Sequence, residues 1–94
     1  MSDFGLTLSV VVPVYNEEAL VRSSIERLRA VPLRIEVICI DDASKDGSRA
    51  VLEQLHREGL VDVLLAHPRN QGKGAAVRAG IERATGDVIV IHDA

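Results

Sequence analysis

Residues 61–94 read VDVLLAHPRNQGKGAAVRAGIERATGDVIVIHDA: an apolar run, a glycine-rich turn, a helical stretch and a second apolar run closed by an aspartate. The two apolar runs, 61–66 and 87–91, are rich in Val, Leu and Ile and almost continuous in hydrophobicity. That is the pattern of parallel strands covered on both faces, not of a half-exposed hairpin. Between them, residues 73–84 put Ala76, Val77, Gly80 and Ile81 on one helix face, with Gly86 behind the helix. Strand, helix and strand in that order form a crossover unit, and such crossovers are right-handed.

The same alternation extends upstream. Residues 8–14 (LSVVVPV) and 35–40 (IEVICI) are two further apolar runs. Residues 17–30 carry Val21, Ile25 and Leu28 at helical spacing. Asn16 is a candidate cap there, Glu17 and Glu18 suit the positive end of the helix dipole, and Val31-Pro32 is a stop. Residues 48–58 turn Val51, Leu52 and Leu55 inward and stop at Gly59. The prediction is β-α-β-α-β-α-β over residues 1–94. It gives a three-layer α/β/α, Rossmann-like open parallel sheet of about four strands with three helices.

Composition narrows the function. The net charge is −3 without a basic tract, which argues against a nucleic-acid partner held by phosphate neutralisation. Aromatic residues are only 2%, too few for a base-stacking platform. The single Cys39 lies in an apolar run and is expected as a reduced core residue, in keeping with a cytoplasmic protein. No run approaches the roughly 20 apolar residues of a membrane span, and the first residues have no signal-peptide pattern.

In open parallel sheets ligands bind beyond the carboxyl ends of the strands. Strand one is followed there by Pro13, Tyr15, Asn16 and Glu17, strand two by Asp41, Asp42, Ser44, Lys45 and Asp46. Strand three is followed by His67, Arg69, Asn70, Gln71, Gly72, Lys73 and Gly74, and strand four by Asp93. The opposite rim, near Thr7, Arg34, Gly59 and Thr85, looks chemically plain. This asymmetry marks one rim as the candidate site.

Each feature also has an ordinary reading. Asp41 and Asp42 suit a turn and a helix cap, although two adjacent carboxylates at the end of a buried strand call for a partner such as a base amide, a ribose hydroxyl or a cation. Asn70-Gln71-Gly72-Lys73-Gly74 could be a plain strand-to-helix turn, or Gly72 and Gly74 could let backbone amides reach a phosphate beside Lys73. It is neither a Walker A loop nor a dinucleotide fingerprint, because His67 replaces the first glycine of the one and the third glycine of the other is missing. His92 and Asp93 point to opposite faces, which weakens a metal pair. Tyr15 could simply pack at the strand edge. A receiver-type module would need an aspartate at the tip of strand three, where Ala66-His67-Pro68 stands.

Four blocks together resemble the family 2 glycosyltransferases of GT-A fold: Val11-Val12-Pro13-Val14-Tyr15-Asn16-Glu17-Glu18, Ile40-Asp41-Asp42-Ala43-Ser44-Lys45-Asp46-Gly47-Ser48, Asn70-Gln71-Gly72-Lys73-Gly74-Ala75-Ala76, and the stretch from Gly86 to Ala94. The last two blocks look most like polyprenol-phosphate (dolichol-phosphate) mannosyl- and glucosyltransferases. The resemblance runs through the whole chain in order.

It implies an enzyme that binds a UDP- or GDP-sugar across the strand ends and transfers the hexose with inversion to an acceptor such as polyprenol phosphate. Pro13, Tyr15 and Glu17 would shape the nucleoside pocket, and Asp41 would accept from base or ribose, with Asp42 or Asp46 assisting. Arg69 and Lys73, with Gly72, would lie near the base or the diphosphate. Asp93 would hold the ribose or a divalent cation, Mg2+ or Mn2+. In the family the tip of strand four reads Asp-x-Asp, so Asp93 and Ala94 would be its first two positions. The chain is then expected to be the nucleotide-sugar-binding part of a longer domain whose acceptor-binding half and general base lie beyond Ala94. Alone it is expected to be inactive and to present an apolar strand edge, residues 88–91, to a second copy as a homodimer. The parent enzyme could sit at the cytoplasmic membrane face.

Overall fold

The computed structural model describes residues 5–93; Met1–Phe4 and the expected motif position Ala94 lie outside them. Seven elements follow in order: β1 (Thr7–Val14), α1 (Val21–Arg29), β2 (Arg34–Asp41), α2 (Ser48–Arg57), β3 (Val63–Ala66), α3 (Lys73–Arg83) and β4 (Val88–Ile91). The strands form one parallel sheet in the order β3-β2-β1-β4, as the alternation predicts. The chain therefore walks outward from β1 to β3, then crosses back through α3 to the other side of β1.

The two faces of the sheet are sorted by side-chain parity. Val10, Val12, Val14, Val37 and Cys39 pack with Val21, Ile25, Leu52 and Leu55 of α1 and α2. Val11, Ile38 and Ile40 pack under Ala76 of α3. Burial pushes the Cys39 thiol up to about 12, so it stays a neutral core side chain. Gly80 lets α3 lie close: a Cβ at this position would run into Val11 and stand 2.9 Å from Ile40 Cδ1.

Four expectations need correction. Burial on both faces holds for β1 and β2 but not for β4, whose Val88, Ile89, Val90 and Ile91 remain 38–45% exposed. The reason is geometric: β4 is an edge strand, and α3 lies over β1 and β2. Ile81 likewise faces outward instead of the sheet. Helix α1 starts four residues later than expected and is not capped by Asn16, which instead adopts a positive φ of 53° in the loop. Nor is the far rim plain. Glu36 accepts from the Ser9 hydroxyl at 2.6 Å and from the Thr85 amide and hydroxyl, while Ser9 Oγ accepts from the Gly86 amide. Burial would raise the Glu36 carboxyl, but these hydrogen bonds outweigh it and hold the group below its ordinary range. The cluster satisfies itself and ties the start of β4 to β1 and β2.

Helix α2 ends as its sequence foretells. Gly59 takes a φ of +83°, its amide bonds His56 O, and the Leu60 amide bonds Leu55 O at 3.0 Å. This is the paired-carbonyl ending that a left-handed glycine permits.

Candidate functional site

Strand order reverses direction between β1 and β4, so the loops leaving their carboxyl ends diverge and open a crevice. A cleft of about 390 Å³ lies there, lined by Pro13, Val14, Tyr15, Glu17, Asp42, Asn70, Gly72, Lys73, Ala76 and Asp93. That volume is within the range of small-molecule sites, roughly 300–1,000 Å³. Seven of the nine residues singled out by sequence line it: Pro13, Tyr15, Glu17, Asp42, Gly72, Lys73 and Asp93. Asp41 and Arg69 are not among the lining residues. Val14 and Ala76 read in the sequence as core-type side chains and give no signal for a cleft, whereas Asn70 belongs to the rim turn that the sequence marks.

The first and second loops are built as one piece. Asn16 N donates to Ser44 Oγ at 3.0 Å, and Lys45 N donates to Asn16 Oδ1 at 2.8 Å. Glu17 N donates to Ser48 Oγ at 2.8 Å, Glu18 N to Asp46 Oδ2 at 3.2 Å, and Gly47 N to Glu18 Oε1 at 2.8 Å. Asn16, Glu18, Ser44, Asp46 and Ser48 are therefore engaged in fastening two loops together. The Asp46 carboxyl is held below its ordinary range chiefly by the Ser48 hydrogen bond. Ala43 sits in the second loop with φ 60°, a left-handed conformation that disfavours a Cβ. Ala43→Gly is expected to stabilise the protein by about 0.5–1 kcal/mol, read as a rise in urea midpoint at constant slope.

The two adjacent aspartates part company. Asp41 is 1% exposed; its Oδ2 accepts from Ser44 N at 3.3 Å and its Oδ1 has no partner among the described residues. Asp42 is 3% exposed and turns the other way, onto the third loop. Its Oδ1 accepts from His67 Nδ1 and Gln71 N, both at 2.9 Å, and its Oδ2 from Gly72 N at 2.8 Å. Its backbone carbonyl takes Asn70 Nδ2 at 3.2 Å. Burial alone would raise the Asp42 carboxyl, yet the hydrogen bonds from His67, Gln71 and Gly72 outweigh it and hold the group low.

Gly72, with φ +94°, precedes the first turn of α3, and Gly72 and Lys73 line the cleft at that helix start. Lys73 reaches across to the tip of β4, where its Nζ lies 2.6 Å from Asp93 Oδ1; both side chains are largely exposed. The cleft thus offers an exposed aromatic ring at Tyr15, a helix N-terminus, one mobile-stemmed ammonium and one exposed carboxylate. Among the described residues no group of three or more His, Cys, Asp or Glu is placed to hold a metal, and no helix is long and apolar enough to cross a membrane.

The family described as "Glycosyl transferase family 2" matches residues 9–94. The undecaprenyl-phosphate 4-deoxy-4-formamido-L-arabinose transferase of Aeromonas hydrophila is 43% identical over 94 residues, covering 93% of this chain and 28% of that protein. Its counterpart from Pseudomonas aeruginosa is 38% identical over 92 residues, covering 93% of this chain and 27% of that protein. The chain thus spans little more than a quarter of the length of these relatives. Among solved structures, a mannosyltransferase from Pyrobaculum calidifontis in complex with GDP-Man and Mn2+ superposes with a TM-score of 0.84 at 27% identity, covering 92% of this chain and 26% of that one. Glucosyl-3-phosphoglycerate synthase from Mycobacterium tuberculosis, in complex with Mn2+, UDP and glucosyl-3-phosphoglycerate, gives 0.73 at 28% identity, covering 96% and 34%.

Proposed function

Because the chain belongs to glycosyl transferase family 2, we propose that residues 1–94 are the nucleotide-sugar-binding part of a longer glycosyltransferase domain. The observation that carries this is the cleft at the β1/β4 divergence, where Tyr15, Asp42, the N-terminus of α3, Lys73 and Asp93 converge. A nucleoside diphosphate matches it in parts: a flat base for Tyr15, and phosphate oxygens for the Gly72–Lys73 helix start. Pro13 and Glu17 shape the nucleoside end, and Asp42 fixes the loop that carries the helix start. Asp41, behind that surface, accepts from the base or ribose only if the second loop shifts; otherwise it braces that loop through Ser44.

The donor is a UDP- or GDP-sugar, and the acceptor is a polyprenol phosphate or similar group at the cytoplasmic membrane face. The support is that the relatives are undecaprenyl-phosphate transferases and that the structural neighbours hold GDP-Man or UDP. A hydroxyl acceptor would need a general base, whereas an ionised phosphate acceptor needs none; the acceptor-binding half, with any such base, is proposed to lie beyond Ala94, so residues 1–94 alone are proposed to be inactive. Self-association along the open edge of β4 belongs to the same proposal.

A divalent cation is expected in the complete enzyme, and the neighbours contain Mn2+. The donor chemistry fits: Asp93 is an exposed oxygen ligand of the type that hard cations such as Mg2+ and Mn2+ prefer. It supplies one ligand, leaving the remaining positions to diphosphate oxygens, water and groups outside residues 5–93. When bound, such a cation offsets charge developing on the departing diphosphate. Lys73, now on Asp93, would then turn to the diphosphate.

The test is titration of the chain with UDP and GDP in the presence of Mg2+, followed by amide NMR. Binding with a Kd between about 0.1 and 1 mM is expected, about 4–5.5 kcal/mol, as suits an incomplete site. Shifts should cluster at Tyr15, Gly72, Lys73 and Asp93. Shifts confined to Thr7, Leu33 and Gly59, at the opposite rim, would refute the assignment.

A further inference from the structure

We propose that His67 is a positioning residue of the cleft: by donating its Nδ1–H to Asp42 it fixes the carboxylate that holds the third loop and the start of α3. His67 was passed over in the sequence as one polar residue among several after β3. In the structure its side chain is 14% exposed and its Nδ1 lies 2.9 Å from Asp42 Oδ1, where the Asp42 side chain is 4% exposed. Its backbone is also fixed, since His67 N donates to Asp41 O at 2.9 Å. The residue is therefore held at two points, its backbone by the ladder beneath it and its ring by the carboxylate beside it.

The carboxylate is the hub. Its two oxygens receive three donors: His67 Nδ1 and Gln71 N on Oδ1, and Gly72 N on Oδ2. Gln71 N and Gly72 N each hold one oxygen, and the imidazole, as the second donor on Oδ1, ties that carboxylate to the exit of β3. Gly72 is the residue before α3, and Lys73 is the first residue in it. An imidazole in β3's exit loop thereby governs where the α3 amides and the Lys73 ammonium stand. His67 does not line the cleft, so it acts through Asp42 and not on a ligand.

Asp42 is acceptor-only when ionised, so the ring nitrogen facing it must carry a proton. A neutral imidazole at this site is consequently the Nδ1–H tautomer, with Nε2 bare. This signature depends on the contact alone and owes nothing to ligand binding.

The role in binding rests on the reading of the cleft as a nucleotide-sugar site; the role in ordering the loop does not, and the experiment separates them. Wild type, His67→Asn and His67→Leu are compared in three measurements: ring 15N shifts, amide exchange at Gln71 and Gly72, and UDP or GDP titration with Mg2+. Asparagine offers an N–H at nearly the position of Nδ1, and leucine offers none. We expect the wild-type neutral ring to show the Nδ1–H pattern. In His67→Leu, Gln71 and Gly72 should exchange at least tenfold faster and the nucleotide Kd should rise about tenfold. His67→Asn should restore most of both. Should His67→Leu fail to fold, the tautomer and the asparagine variant still decide. An Nε2–H ring, or wild-type exchange at Gln71 and Gly72 in a folded His67→Leu, overturns the proposal. Exchange that responds as expected while no variant, wild type included, binds UDP or GDP retains the loop role and sinks the nucleotide reading instead.

Discussion

Asp42→Ala is expected to destabilise the protein by about 3 kcal/mol, and with it to abolish measurable nucleotide binding. The substitution removes the acceptor of three donors, the Gln71 and Gly72 amides and the His67 ring. Hydrogen bonds to an ionised acceptor contribute about 1.5–3 kcal/mol each, but the loop relaxes and water recovers part of the loss. For a chain of this length that corresponds to a fall in Tm of roughly 15 °C. Asp42→Asn should lie between, since an amide oxygen still accepts but one position becomes a donor facing donors.

The pH dependence provides the control. The folded state holds the Asp42 carboxyl below its ordinary value of 3.8, so its contribution is fully present above that value. It is lost as the pH falls through the lower, folded-state value. The stability difference between wild type and Asp42→Asn should therefore shrink as the pH falls below about 4. Urea unfolding from about pH 5 downward measures it, and a difference that grows over that range would show that the carboxylate is not the stabilising form.

The second large effect is predicted for Gly80→Leu, a loss of about 3 kcal/mol or more. Helix propensity alone would favour any residue over glycine in mid-helix by up to about 1 kcal/mol. Here sterics win, because even a methyl group collides with Val11 and crowds Ile40. Gly80→Ala should cost less, about 1–2 kcal/mol, and Val11→Ala in the same chain should recover part of it, a coupling that a double-mutant cycle measures. Simple additivity of the two substitutions would mean that α3 is not seated on Val11 through this glycine. Displacing α3 also moves Gly72 and Lys73, so Gly80→Ala should weaken UDP or GDP binding although it lies well away from the cleft.

What could be read in the sequence followed from short-range physics. Near-continuous Val and Ile runs specified the β1 and β2 strands, the helical spacing of Ile25, Leu52 and Ala76 placed each helix face, and the alternation specified a parallel sheet. The carboxyl rim was legible because parallel sheets put loops of one kind at one end. What stayed hidden depended on long-range pairing. Nothing local distinguishes Asp41 from Asp42, yet strand parity sends one beneath the second loop and the other onto the third. Asn16 looks like a helix cap, and only the fold shows Ser44 and Lys45 waiting opposite it. The exposed edge at residues 88–91 was expected, but not from local sequence: the four apolar side chains of β4 are indistinguishable from those of a central strand until the strand order is known.

The mutual fastening of the first two loops has a consequence for how such a site can be altered. Each loop supplies both donors and acceptors to the other: Asn16 gives an amide and takes one, Glu18 does the same, and Ser44, Asp46 and Ser48 accept in return. Neither segment carries a self-sufficient shape. A graft of residues 15–20 from another protein into this chain would arrive without its counterpart, and so would a graft of residues 43–48. Transplanted together they form a cassette, a single exchangeable part whose internal fit travels with it. Remodelling of this rim by recombination should therefore succeed in pairs and fail in singles.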